Sequence, residues 1–230
     1  MDERFAVFGH RGSPSRSREN SLNSFSLALS EGADGFEADV RRLADGTFVL
    51  FHDDAIEGRA VETMLPADLA RYSSEVTLLG ELALWPGVLK ILEVKRGGWE
   101  EALIDALRGW RNVILSCFDH RVLQRLGDLG CQHPLGVIVD CRLVEAADYT
   151  KQLGASWFFP AFRHADADLV ASLRDQHIHV VPWTLNTPQE WDKARAVGCY
   201  GIITDLPLEA ARWRDGVVLN SPPTIVDNRS

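Results

Sequence analysis

A chain of 230 residues with 46% hydrophobic and 25% charged residues suits one globular domain with a sizeable core. Lys and Arg number 24 against 33 Asp and Glu, a formal charge of −9, which argues against nucleic acid or another polyanion as partner; a phosphate-bearing ligand must meet a local site, with a cation drawn from solution. No run of apolar residues is long enough for a stable membrane anchor, and MDERFAVFGHRG lacks the pattern of a secretion signal, so a cytoplasmic location is the default expectation.

In chain order, short β-branched and apolar runs predict strands at Phe5–Gly9, Gly35–Val40, Val88–Val94, Val113–Phe118, Leu135–Asp140, Ser156–Phe162, His179–Leu185 and Gly201–Thr204. Amphipathic segments of helical length separate most of them. Asn20 or Ser21 is a candidate cap for a helix with Leu22, Phe25, Ala28 and Leu29 on one face, ending at Gly32. Asp119 is a second candidate cap, and Thr187-Pro188-Gln189-Glu190 is a capping box with proline at the first helical position. Eight strands alternating with helices predict a single α/β domain over residues 1–215, a (β/α)8 TIM-type barrel. A doubly wound open sheet competes with it, but no matching Gly-rich turn is present.

One interval breaks the alternation. Ala44-Asp45-Gly46 predicts a hairpin turn after the second strand, from which Thr47–His52 returns and sets His52 opposite Asp39; a bulge at Gly46 would shift that pairing by one. A small insertion follows over about 54–86, and 216–230 is expected to be a flexible tail. Cys117, Cys131, Cys141 and Cys199 show no metal-like spacing and read as buried reduced thiols.

In a parallel barrel, reactive groups gather at the C-terminal rim. Polar clusters fall at that position after successive strands: His10-Arg11-Gly12, Glu37 with Asp39, His52-Asp53, Glu93 with Lys95, and Trp183-Thr184-Leu185-Asn186. Residues two apart on a strand share a face, so Glu37, Asp39 and Glu93 converge. Uncompensated, three clustered carboxylates repel; a hard divalent cation, Mg²⁺ or Ca²⁺ with Mn²⁺ also admissible, is the simplest remedy. Arg11 and Lys95 are candidates for holding phosphate oxygens, and His10 and His52 for moving protons near neutral pH. Each cluster alone has an ordinary reading, as a turn, a solvated strand face or a simple ion pair. Their occurrence in order at one rim favours phosphodiester chemistry. No nucleophile-elbow serine or cysteine supports acyl transfer.

On these residues the chain resembles the glycerophosphodiester phosphodiesterase family from about Phe5 to Glu209. The resemblance is carried by His10-Arg11-Gly12, Glu19-Asn20, Glu37/Asp39, His52-Asp53, Glu93/Lys95, Ser116-Cys117-Phe118, Trp183 to Asn186, and Gly201 to Pro207. It implies metal ligation by Glu37, Asp39 and Glu93, with His10 as first base and His52 as acid. It further implies attack by the substrate's own neighbouring hydroxyl, a cyclic phosphate, and release of glycerol 3-phosphate and an alcohol. Arg18 stands where the family has proline, Cys117 where it has serine, and the stretch after Asp53 lacks the usual D-R-T-x-x-G. Those departures leave the chemistry alone and the alcohol head group open; the sequence also leaves the oligomeric state open.

Trp183 reads equally as a pocket wall beside glycerol or as a core residue, and Phe158 and Phe159 read as core before entrance. His120, His133, His164, His177 and His179 carry no assigned role. Two other functions compete: a phosphatidylinositol-type phospholipase or lysophospholipase D barrel, which would favour a lipid-facing rim, and a non-catalytic barrel that keeps a phosphate site.

Overall fold

The chain is described by a computed structural model over residues 4–72 and 75–217; beyond residue 217, the expected tail lies outside the described residues. The chain enters through β1 (Ala6–Gly9), α1 (Leu22–Ser30) and β2 (Gly35–Arg42). β3 (Phe48–Leu50) folds back on β2, and β4 (Ala55–Ile56) pairs with β5 (Arg59–Ala60) ahead of α2 (Pro66–Tyr72). The alternation then resumes with β6 (Leu89–Val94), α3 (Glu100–Ala106), β7 (Val113–Cys117), α4 (His120–Asp128), β8 (Leu135–Val139) and α5 (Ala146–Gln152). It finishes with β9 (Trp157–Pro160), α6 (Ala167–Asp175), β10 (His179–Val180), α7 (Pro188–Ala196), β11 (Gly201–Thr204) and α8 (Pro207–Arg214).

Eight of these strands form a nearly closed parallel barrel in the order β10-β9-β8-β7-β6-β2-β1-β11, with β3 antiparallel on β2. The predicted run His179–Leu185 is cut at Val180. Pro182 has no N–H to give to a ladder. Three backbone bonds bring the last seam together: Tyr200 N to Val180 O at 2.9 Å, Ile203 N to Pro182 O at 3.0 Å and Leu185 N to Ile203 O at 3.0 Å.

Strand parity decides what faces inward. Ala6, Phe8, Ile91, Ile114, Ile138, Phe159 and Ile203 meet as one buried cluster in the barrel, while the alternate residues Val7, Phe36, Leu92, Leu115, Val137 and Ile202 pack in the layer shared with the helices. Burying each large apolar side chain contributes about 1.5–3 kcal/mol, an upper figure because unfolded chains already hide some surface. Phe158 and Phe159 are both core, as their sequence context favours. Gly136 makes room for the second, since a Cβ there would meet Phe159 Cε2 at 2.3 Å.

The helix starts follow local chemistry. Ser21 caps α1, Asp119 caps α4, and Thr187 with Glu190 forms the capping box of α7. At the opposite, N-terminal face lies a broad cleft of about 1100 Å³ bordered by Arg174, Arg195 and Arg214. These arginines stand in the last turns of α6, α7 and α8, where cations offset the unpaired helix carbonyls.

The hairpin register differs from expectation by one residue. Val40 pairs with Leu50 and Arg42 with Phe48, and Phe51 N donates to Asp39 O, so Phe51 lies opposite Asp39 in place of His52. The cause is a three-residue turn: Leu43 N bonds Thr47 O, and Gly46 adopts φ +91°, the left-handed residue of a bulged loop. All four cysteines are free. Cys117 and Cys199 are buried as expected, whereas Cys131 is only half-buried and Cys141 exposed because its strand stops at Val139. No helix among the described residues is long and apolar enough to cross a membrane.

Candidate active site

The first strand delivers a histidine into a tight turn. Gly12 N bonds Gly9 O, and both Arg11 and Gly12 have positive φ, 51° and 93°. A Cβ on Gly12 would sit 2.4 Å from Ser24 Oγ, so glycine lets the turn press against α1. The turn aims two groups inward: Arg11 N donates to Glu37 Oε2 at 3.0 Å, and His10 Nδ1 lies 2.7 Å from Asp205 Oδ1. With Nδ1 donating to that carboxylate, Nε2 is the ring nitrogen left for chemistry; it lies 4.0 Å from Glu37 Oε2. Burial alone would depress the His10 pKa, but the bond to Asp205 and the charge of Glu37 outweigh it and raise the pKa above its ordinary value.

Ladder geometry assembles the carboxylates. β2 and β6 pair with Asp39 beside Glu93, and parity puts Glu37 on the same face. One oxygen from each of Glu37, Asp39 and Glu93 lies within 4.8 Å of the others. Asp39 is the most heavily paired: Asn20 Nδ2 at 2.8 Å, Arg11 Nε at 3.1 Å and Lys95 Nζ at 3.3 Å. Burial works against its ionisation, but Arg11 and Lys95 outweigh burial and hold its carboxyl below the usual range. Glu93 bonds Lys95 at 2.6 Å, yet burial and then Asp39 keep its pKa raised.

Glu37 is the frustrated member. Burial, then the charge of Asp39, pushes its pKa up to about 8, and its Oε1 is buried without a hydrogen-bond partner. Arg11 and Lys95 supply two positive charges against three carboxylates. An all-oxygen donor set, net negative and with a buried oxygen to spare, fits a hard divalent cation.

His52 follows β3 and keeps its Nδ1 2.8 Å from Asp53 Oδ1. It shares with His10 a cavity of about 290 Å³ whose polar side carries Arg11, Glu37, Glu93 and Lys95. The other side is apolar, with Phe118 and Trp183 packed edge to face at 5.6 Å above Ile91, Ile138 and Ile203. Trp183 is a wall and not core, steadied by its Nε1 donating to Phe159 O at 2.9 Å. The Arg11 guanidinium donates through Nη1 to Glu19 at 2.8 Å and stands 3.1 Å from Asp39 as an ion pair, while its buried Nε has no hydrogen-bond partner. Of the predicted site residues, His10, Arg11, Glu37, His52, Glu93, Lys95 and Trp183 line this cavity; Asp39 does not line it but reaches it through its pairing with Arg11 and Lys95.

Sequence reasoning left four neighbours without roles. Asp205 sits beside His10 because the closing strand pairs Gly9 with Thr204, and Asn186 Nδ2 steadies its other oxygen at 2.7 Å. Asn20, at φ 54°, both donates to Asp39 and accepts from its backbone N–H. Phe118, 46% exposed, supplies an apolar rim to the cavity. Asp205 already belongs to the Gly201 to Pro207 motif, and the pairing of Thr204 with Gly9 at barrel closure is what makes it the partner of His10.

Fold and site together define a barrel enzyme built for phosphoryl chemistry. The chain belongs to the Glycerophosphoryl diester phosphodiesterase family, whose pattern matches residues 10–78 and 90–209; it is a phosphoric diester hydrolase. A glycerophosphodiester phosphodiesterase of Caldanaerobacter subterraneus is 27% identical over 228 residues, covering 87% of this chain and 94% of its own. Among solved structures, a phosphodiesterase of Oleispira antarctica in complex with the product sn-glycerol-3-phosphate superposes with a TM-score of 0.82 at 23% identity, covering 91% of this chain and 96% of its own. A glycerophosphodiester phosphodiesterase of Thermotoga maritima gives 0.80 at 23% identity, with 91% and 98% covered.

Proposed function

We propose that this enzyme hydrolyses small glycerophosphodiesters to glycerol 3-phosphate and an alcohol, with a divalent cation on Glu37, Asp39 and Glu93 and with His10 and His52 exchanging protons. The observation that carries this reading is the single cavity shared by both histidines, Arg11, Lys95 and two of the carboxylates. The bound Mg²⁺, Ca²⁺ or Mn²⁺ would neutralise phosphate charge as a Lewis acid.

The chain's own groups account for the proton movements. His10 Nε2 takes the proton of the substrate hydroxyl next to the phosphoester, and that oxygen forms a bond to phosphorus. The bond from phosphorus to the departing alcohol breaks, and His52 gives that oxygen its proton. Water then opens the cyclic phosphate with the two histidines in exchanged roles, restoring both. Each proton transfer contributes about 10²–10⁴-fold. Arg11 and Lys95 orient phosphate oxygens, and Phe118 with Trp183 excludes water from the apolar side.

Asp205 works through His10. Asp205→Asn is expected to lower the His10 pKa, because it removes the carboxylate that raises it, and to reduce kcat about 10-fold or more within the acid–base range. Titration of the His10 ring by NMR together with the pH–rate profile checks this; an unmoved ring pKa contradicts it.

The decisive assay is turnover of glycerophosphocholine, glycerophosphoethanolamine, glycerophosphoinositol and a lysophospholipid, each with Mg²⁺, Ca²⁺, Mn²⁺ or chelator. Release of glycerol 3-phosphate that stops in chelator is the expected result. Full rates in chelator overturn the cation, preferential cleavage of the lysophospholipid moves the reading to a lysophospholipase D, and binding without turnover leaves a phosphate-binding barrel.

A further inference from the structure

The two histidines are held very differently. His10 is framed by the barrel: its backbone N–H donates to Thr204 O at 2.8 Å and its ring is fixed by Asp205. His52 lies past the end of its ladder. β3 stops at Leu50, Phe51 N to Asp39 O is the last strand-like bond, and the His52 ring bonds its own exposed neighbour Asp53.

What grips the His52 peptide is Arg41. Two residues beyond Asp39 on β2, Arg41 continues the inward row of Glu37 and Asp39 and is 1% exposed. Its Nη2 donates to His52 O at 2.7 Å, and its Nε lies 3.2 Å from both His52 O and Phe51 O. The remaining donors reach into the insertion: Nη1 to Glu62 Oε1 at 2.5 Å, and Nη2 to Asp54. A planar guanidinium meets these acceptors at once, which the point charge of a lysine cannot do.

We infer that Arg41 is the positioning residue for His52: its guanidinium ties the His52 carbonyl to Asp54 and Glu62 of the insertion and thereby sets where the imidazole stands in the cavity. The competing role is purely structural, a clamp for the insertion core of Val49, Val61, Met64 and Leu69. The two separate in a double-mutant cycle. The inference rests on the reading of His52 as an acid–base group, so His52→Ala is measured alongside.

Arg41→Gln is expected to lower kcat by about 30-fold with KM within about threefold, yet to cost less than about threefold in a His52→Ala background. Arg41→Lys, which keeps the charge, serves if the glutamine variant does not fold; it is expected to show a smaller loss with the same non-additivity. In that variant the His52 ring Cε1–H resonance should move or broaden while that of His10 stays. Equal losses in both backgrounds, or unchanged kcat in the single variant, overturn the inference. Near-normal turnover in His52→Ala defeats the underlying reading instead, and the two failures are therefore distinguishable.

Discussion

His10→Ala and His52→Ala are each expected to slow kcat by at least about 10²-fold. Both rings line the cavity that also carries Glu37, Glu93, Arg11 and Lys95, and each has one nitrogen committed to an aspartate, Asp205 or Asp53. Proton removal and proton delivery belong to one passage through the reaction, so the double variant should be about as slow as the slower single, not the product of both losses. The roles separate with an activated leaving group. From the p-nitrophenyl ester of glycerol 3-phosphate, which keeps the attacking hydroxyl, p-nitrophenolate leaves without needing a proton, so this substrate should rescue the variant lacking the proposed acid, His52→Ala, far more than His10→Ala. Rescue of the other variant would reverse the assignment, and near-normal turnover of either single variant on a natural substrate would exclude that histidine from proton transfer. Thermal melts of all three variants separate lost chemistry from lost fold.

Glu37→Gln is expected to abolish cation-dependent turnover, a loss of about 10³-fold or more, and to lack the rise in Tm expected of the wild type with Mg²⁺, Ca²⁺ or Mn²⁺. The same substitution should relieve the cation-free protein. Glu37 has a folded pKa of about 8 against an ordinary 4.5; the stability linked to its protonated form is complete below the ordinary value and is lost as pH rises through 8. Over that window the cation-free wild type should lose on the order of a few kcal/mol that a glutamine, always neutral, retains. At pH 8 in chelator the variant is therefore expected to melt at or above wild type, and with cation well below it. Full activity in Glu37→Gln would sink the ligand assignment.

The barrel was legible because its strands are apolar on both faces and separated by well-capped helices. Ser21, Asp119 and Thr187 mark helix starts by chemistry that acts within a few residues. The acidic trio was legible from parity alone, as was its convergence from neighbouring strands. The hairpin misled by one residue, since a single left-handed Gly46 decides the register and nothing farther along the chain reports it. Asp205 and Asn20 received no role for a different reason. Their partners, His10 and Asp39, lie 195 and 19 residues away; the first contact exists only once the last strand has closed against the first, the second only once β2 lies beside β1. Phe118 and Arg41 depend likewise on what the finished rim surrounds, not on any local pattern.

The pairing of Asp39 with Glu93 across β2 and β6 has a consequence for how this scaffold can vary. Backbone hydrogen bonds of a parallel ladder fix the distance between these two positions, and a slip of one residue would turn the whole row to the opposite face. The charges are thus mounted on a ruler. Phe118 lies just past the end of β7, where length and side chain change at little cost to the frame, whereas Trp183 is tied to the neighbouring strand by Trp183 N to Pro160 O at 3.1 Å and Phe162 N to Trp183 O at 2.8 Å. Lineages built on this plan can exchange such rim side chains without disturbing the spacing of the carboxylates.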